Sequence, residues 1–393
     1  MNVKKTPSRR EALEMIITKW NPARATETVT VWDAIGRVTA SEVAATVNIP
    51  VVRASAMDGI GVDSTRFQQG IPDTSRWVQG VDYVRADTGD DFSDLFDSVI
   101  AIEAVEFTEN GGVQLADNTK VTRGMNVRER GSSIKTGDLI VPASTRLRPI
   151  DLAALTAGGV TTIDVVKRPI VAFIPTGSEL VPAGNVPERG QTIDCNSVFA
   201  YHSLCGMCAE PKLYPIIGDD PALLREAILS ASQDADIVLV GGGSSKGGED
   251  YTAALIEDIG EPLFHWIASA PGRPLCAAMM EGKPLINIPG PPLANYFVFD
   301  WCVSALINHY YGARPRVRAI TRAKLVEKMD ATPGMEILRK FGLRESAEGY
   351  EAIQLGGRGG GMLAALTSPL QFVSDGGNKS YEAGDVAEFE FLM

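Results

Sequence analysis

Near the N-terminus, apolar residues recur at helical spacing. Leu13, Ile16, Ile17 and Trp20 follow Ser8 and Glu11, a pair with capping-box spacing, and the pattern predicts an amphipathic helix over residues 8–20. Between residues 47 and 143 the period shortens. Val, Thr and Gly become frequent and turns recur. Short apolar runs at 98–102 and 138–141 predict strands without long helices, hence a β-rich lobe. Leu152, Ala153 and Leu155 after Pro149 then predict a short helix over 151–157, ended by Gly158 and Gly159.

From Pro169 the pattern alternates. A strand is predicted at 170–174, a helix opening at Asp194 and Asn196 and running through Leu204, and a strand at 212–217. Asp219-Asp220-Pro221 predicts an N-cap with proline in the first turn, and its helix ends at about residue 232. A buried strand at 236–240 follows, then a helix at 249–259 stopped by Gly260, a hairpin at 275–288 turning at Glu281-Gly282, and an apolar helix at 293–307. Strand and helix in alternation predict parallel βαβ units in a central α/β domain. Beyond residue 314 strand signals return, punctuated by glycines at 356–361, and predict a small β domain.

Composition narrows the function. A chain of 393 residues with 45% hydrophobic content supports two to four folded domains. A net charge of -12 and a pI near 4.9 repel a phosphate backbone, so nucleic acid is not an expected partner. Lys4, Lys5, Arg9 and Arg10 lead into Glu11 and Glu14 instead of an apolar leader core, and no run approaches the ~20 apolar residues of a membrane span. A soluble cytoplasmic protein is expected, with no membrane partner. Five cysteines without framework spacing fit reduced thiols. Cys205 and Cys208 have redox or zinc spacing, but lack a second pair and read as buried helix cysteines.

Candidate chemistry gathers where strands end in glycine. The 236–240 strand empties into Gly241-Gly242-Gly243-Ser244-Ser245-Lys246-Gly247-Gly248, which lacks the spacing of a P-loop or a dinucleotide fingerprint and reads as a generic anion cradle. Glu249 and Asp250 follow, either as ligand-facing acids or as acids favourable to a first helical turn. Thr176-Gly177-Ser178-Glu179 ends the first parallel strand, where ligands bind in such sheets, and Glu179 is either a cation ligand or a solvent-facing turn residue. Asp58, in Ser55-Ala56-Met57-Asp58-Gly59, is presented by a tight turn or merely forms one. Arg273 in one Pro/Gly corner and Pro289-Gly290-Pro291-Pro292 in another are either pocket rims or structural corners. His202, His265 and His309 pair with no serine or cysteine in a recognisable motif, which disfavours acyl transfer. The remaining equipment suits positioning of a magnesium-bound phosphate ester or anhydride.

Taken in order, these motifs resemble the MoeA-type molybdopterin molybdenumtransferases, the family that includes the gephyrin E domain. The resemblance runs through Ile35-Gly36-Arg37-Val38, the Asp58 turn, Thr88-Gly89, Arg128-Glu129-Arg130-Gly131, Gly137-Asp138, Thr145-Arg146-Leu147, Pro175 to Leu180, Asp194-Cys195-Asn196, the glycine loop with Asp250-Tyr251, and the two Pro/Gly corners. It implies a helical and strand domain (1–46 with 144–167), the β-rich lobe (47–143), an α/β molybdopterin-binding domain (168–313) and a C-terminal β barrel (314–393), assembled as a homodimer. It implies insertion of molybdate into adenylylated molybdopterin with Mg2+ and release of AMP. Asp58, Glu179 and Asp250 would be catalytic and metal-binding. Thr88, Thr176, Gly177, Gly241, Gly242, Gly243, Ser244, Ser245, Arg273, Pro289 and Gly290 would bind the pterin nucleotide. Implied partners are molybdopterin adenylyltransferase, which supplies the substrate, and acceptor molybdoenzymes or a downstream cofactor nucleotidyltransferase. Ser132-Ser133, Ser178, Ala270, Pro291 and Asp90-Asp91-Phe92 depart from the family pattern, which leaves open a diverged paralogue that binds or delivers the cofactor without inserting metal.

Overall fold

The computed structural model describes residues 6–109, 111–242, 251–313, 317–347, 349–355, 368, 370–373, 377 and 379–392. They form two compact units, residues 26–165 and the remainder. Among them no helix is long and apolar enough to cross a membrane.

The 26–165 unit is built from short strands, as the turn-rich pattern requires. These are β1 (Thr26–Thr30), β2 (Val43–Ala44), β3 (Ala54–Ser55), β4 (Gly59–Val62), β5 (Val84–Ala86), β6 (Ser98–Ala101), β7 (Val105–Phe107), β8 (Val113–Leu115), β9 (Val127–Arg128), β10 (Leu139–Val141) and β11 (Thr162–Val166). Strand β4 lies between β5 and β6, antiparallel to both. Ile60, Val62, Trp77, Tyr83 and Ile100 form a core beneath it. A second core, around Leu147, Leu155 and Ile163, sits under helix α2 (Pro149–Ala157). That helix begins two residues earlier than the pattern predicts because Pro149, which has no N–H to lose, takes its first position.

The other unit starts with α1 (Arg9–Lys19 in the sequence), where the capping box forms: Glu11 N donates to Ser8 Oγ and Ser8 N donates to Glu11 Oε2 at 2.7 Å. After residue 25 the chain departs, and it returns alongside itself, with Lys167 N donating to Ala25 O at 2.8 Å. It then lays down β12 (Ile170–Thr176), β13 (Leu180–Val181), β14 (Thr192–Ile193), α3 (Asn196–Gly206), β15 (Glu210–Leu213), α4 (Pro221–Asp234), β16 (Ile237–Gly242), α5 (Tyr251–Ile259), β17 (Glu261–His265), β18 (Ser269–Ala270), β19 (Cys276–Met280) and β20 (Lys283–Ile288). The main sheet has the order β15-β12-β16-β20-β19-β17. Its first four strands are parallel, β19 runs antiparallel to β20, and β17 runs antiparallel to β19. Helices α4 and α5 cover one face through Leu224, Ile228, Ala253 and Ile256, and Phe173 on the other face meets Phe299. Helix α1 packs on β17 and β19.

Two expectations need correction. The predicted 212–217 strand ends at Leu213, because Pro215 has no N–H to continue the ladder; Ile217 rejoins the edge as an isolated bridge, donating to Pro175 O at 2.9 Å and accepting from Gly177 N at 3.0 Å. Cys205 is exposed at the end of α3, and only Cys208, beyond the helix, is buried. The predicted 293–307 helix is present as α6 (Pro292–Val298), a π-helical turn (Phe299–Val303) and α7 (Ser304–Tyr311), capped by Gly312 at φ 62°. Helix α1 also touches α7.

The small β domain is a closed five-strand barrel of β21 (Ile320–Leu325), β22 (Glu336–Ser346), β23 (Gly349–Leu355), β24 (Leu370–Val373) and β25 (Val386–Phe391), in which β22 and β24 pair to complete the circle. Phe341, Leu370, Phe372 and Phe389 fill it. The glycines at 356–361 lie outside the described residues. Arg318 joins the barrel to the π-helical turn, donating from Nη1 to Asp300 Oδ2 and to Glu390 Oε2, both at 2.9 Å.

Candidate functional site

Strand order places a crevice before any side chain is considered. The chain leaves β12 for β15 on one side and returns to β16 on the other, so the carboxyl ends of β12 and β16 diverge at a topological switch point, where open α/β sheets bind ligands. Thr176 ends β12 and pairs with Gly242, the last residue of β16. Gly242 has φ +112°, and a Cβ there would lie 2.3 Å from Thr176 O. A Cβ on Gly241 would strike the Phe173 ring at 2.5 Å. Gly290, just beyond β20, would bring a Cβ within 3.6 Å of the Gly242 Cα. Three strand ends therefore meet through glycine, leaving a floor of bare backbone that a ligand can approach closely.

Polar side chains rim this floor. Leu180 N donates to Gly177 O at 3.1 Å, closing a turn that swings Glu179 back over Gly177; a Cβ on Gly177 would fall 2.6 Å from Glu179 Oε2. Tyr251, the first residue of α5, donates its hydroxyl to Asp219 Oδ1 at 3.1 Å and lies 3.2 Å from Thr176 Oγ1. Asp219 N donates to Ser178 Oγ at 2.9 Å. Burial raises the Tyr251 hydroxyl above its ordinary value, with Asp219 adding to the effect, so it stays a protonated donor. Asn196 Nδ2 donates to Gly290 O at 2.8 Å and fixes the Pro289-Gly290 corner.

Asp219 and Tyr251 escaped the sequence reading as site residues. The signal was the Asp219-Asp220 doublet: Asp220 alone caps α4, accepting from Ala222 N and Leu223 N, which leaves Asp219 free for other use. Arg273 lies on the same sheet edge, because Cys276 at the start of β19 pairs with Asn287 near the end of β20. Its guanidinium is exposed and stacks over Trp266, 5.1 Å from the ring centroid.

Asp58 and Thr88 form a separate constellation within the 26–165 unit. Asp58 Oδ1 accepts from Thr88 N at 2.7 Å and from Thr88 Oγ1 at 2.8 Å. These bonds, the backbone one first, hold the Asp58 carboxyl below its ordinary value. The turn is fixed from behind, since a Cβ on Gly59 would lie 1.9 Å from Ile100 O, and Gly89 N donates to Ser55 O at 2.9 Å.

Gly243, Ser244, Ser245 and Asp250 lie outside the described residues. Among the described residues no three His, Cys, Asp or Glu side chains gather as a metal site. Asp58 in one unit and Glu179 in the other are each exposed, and a single such carboxylate suits a magnesium ion that takes one or two protein oxygens and fills its remaining positions with phosphate and water.

A family model described as the MoeA N-terminal region, domains I and II, matches residues 8–159, and one described as a probable molybdopterin binding domain matches residues 172–309. The molybdopterin molybdenumtransferase of Haemophilus influenzae is 28% identical over 337 residues, covering 81% of this chain and 83% of that protein. Its counterpart in Staphylococcus aureus strain COL is 25% identical, covering 98% of this chain and 97% of that protein. The crystal structure of the molybdopterin biosynthesis moeA protein of Pyrococcus horikoshii OT3 superimposes with a TM-score of 0.80 at 23% identity, covering 99% of this chain and 100% of that one. Fold and matched domains together define a protein of molybdenum cofactor biosynthesis. The chain belongs to the MoeA-type molybdopterin molybdenumtransferase family.

Proposed function

We propose that this protein inserts molybdate into adenylylated molybdopterin and releases AMP. The observation that carries the reading is the glycine-floored crevice at the switch point, rimmed by Thr176, Glu179, Asp219 and Tyr251. A bare floor accepts the flat pterin and its phosphates at backbone distance. The Tyr251 hydroxyl donates its one proton to Asp219 and meets Thr176, so the three side chains brace the rim around the floor. Asp58 and Glu179, each within its own unit, are proposed magnesium ligands, and the ion when bound neutralises phosphate charge. Arg273 is the cation best placed by strand order to meet an oxyanion. We further propose a cytoplasmic homodimer that receives substrate from molybdopterin adenylyltransferase and hands product to acceptor molybdoenzymes or a cofactor nucleotidyltransferase.

The test is AMP release from adenylylated molybdopterin, with and without molybdate and magnesium, alongside reconstitution of a cofactor-free molybdoenzyme. Asp58→Asn should cut molybdate-dependent AMP release at least tenfold while the melting temperature stays unchanged. Undiminished release by Asp58→Asn and by Glu179→Gln would remove the proposed carboxylate roles.

Ser133 and Ala270 favour a second reading, binding or delivery without insertion. Ala270 offers only a methyl group from β18, and Ser133 no carboxylate. Tight pterin binding without AMP release, joined to a gain of turnover in Ser133→Asp/Ala270→Lys, would select it.

A further inference from the structure

We propose that one end of the C-terminal barrel binds a small organic anion with a flat apolar body. The barrel carries a cavity of about 550 Å³, within the range of small-molecule sites. Met329, Phe372 and Tyr381 give it an aromatic and thioether lining, with the two rings edge to face at 5.7 Å. Its two carboxylates are already matched: Lys328 Nζ lies 3.1 Å from Asp330, and Arg322 donates to Glu388 from Nε at 3.0 Å and Nη2 at 2.8 Å.

Among the described residues Arg339 forms no ion pair, although the Asp330 charge favours its own. Its register opposite Phe372 turns its guanidinium toward the barrel interior, where among the described residues it donates to two neutral oxygens, Gln354 Oε1 at 3.2 Å and Asp330 O at 3.1 Å. These bonds use two of its five N–H donors, and a carboxylate or phosphate would engage others. Burial lowers the guanidinium below its ordinary value despite the nearby Asp330 charge, so an anion arriving beside it offsets the desolvation that remains. The Lys379 ammonium sits 4.4 Å over the Tyr381 ring and adds a second positive charge at the rim without a carboxylate partner among the described residues. A guanidinium only partly balanced by Asp330, a rim ammonium and an aromatic wall together recognise an acid group joined to a ring.

Phenyl phosphate is the probe, titrated into the full-length protein by calorimetry beside inorganic phosphate and phenol. Phenyl phosphate should bind at least tenfold more tightly than either fragment. Arg339→Gln should weaken it tenfold or more, Arg339→Lys should fall between, and Arg322→Gln, whose guanidinium Glu388 already holds, should stay within twofold. Tyr251→Phe should leave this binding unchanged, which separates the barrel from the crevice. Absence of saturable binding, equal binding of inorganic phosphate, or indifference to Arg339→Gln in a protein of unchanged melting temperature would each overturn the proposal.

Discussion

The Tyr251 hydroxyl bridges Asp219 Oδ1 at 3.1 Å and Thr176 Oγ1 at 3.2 Å, joining α5, the loop before α4 and the end of β12. Tyr251→Phe removes both bonds and keeps the ring. A single hydrogen bond contributes about 1 kcal/mol net, so stability should change little, by roughly 1–2 kcal/mol. Turnover should fall about tenfold to a hundredfold, since Asp219 and Thr176 lose the group that holds them at the rim of the crevice. Steady-state AMP release and thermal unfolding of the same preparation check this; normal turnover with a lowered melting temperature would assign Tyr251 a purely structural role.

Gly242 and Gly290 make a controlled pair. Gly242→Ala forces a side chain onto φ +112° and 2.3 Å from Thr176 O, whereas Gly290→Ala meets nothing nearer than 3.6 Å. The first should cost about 3 kcal/mol or more from strain and displacement of β12 against β16, and the second under about 1 kcal/mol. Denaturant unfolding of both variants separates them, and equal losses would show that the floor yields.

Lys340 is buried on β22 with its Nζ 3.8 Å from the Tyr296 ring centroid, and it has no hydrogen-bond partner among the described residues. Burial lowers its ammonium to about 7, outweighing Asp300, which favours the charge, while Arg318 opposes it. Between about pH 7 and 10.5 the unfolded chain therefore holds a proton that the folded one lacks, so stability rises with pH across that window and the penalty is complete below it. Lys340→Met should flatten that slope and raise the melting temperature at pH 7 by a few degrees. Parallel stability–pH curves for the two proteins would contradict the assignment.

Local chemistry was legible where it acts locally. Ser8 and Glu11 announce the first helix, and Glu281-Gly282, at φ 52° and 76°, announce the β19–β20 hairpin. What sequence could not display is set by pairing between distant strands. Asp219 and Tyr251 become neighbours only once β16 returns beside β12. In β22 Arg339 and Lys340 are adjacent in sequence, yet closure of the barrel through β24 turns one toward the cavity and encloses the other. The π-helical turn leaves no mark on the apolar run that contains it, and Pro215 ends a strand that the apolar pattern alone carries on to Ile217.

The contact between Ala25 and Lys167 gives this chain a particular history during synthesis. Helix α1 leaves the ribosome long before β17, β19 and α7, which it packs against and which are made only after the chain has passed through residue 165 and returned. Ala12, Ile16 and Trp20 wait uncovered for most of translation. An interrupted product ending before β17 would display them as an unburied amphipathic segment, the kind of surface that chaperones hold and proteases remove.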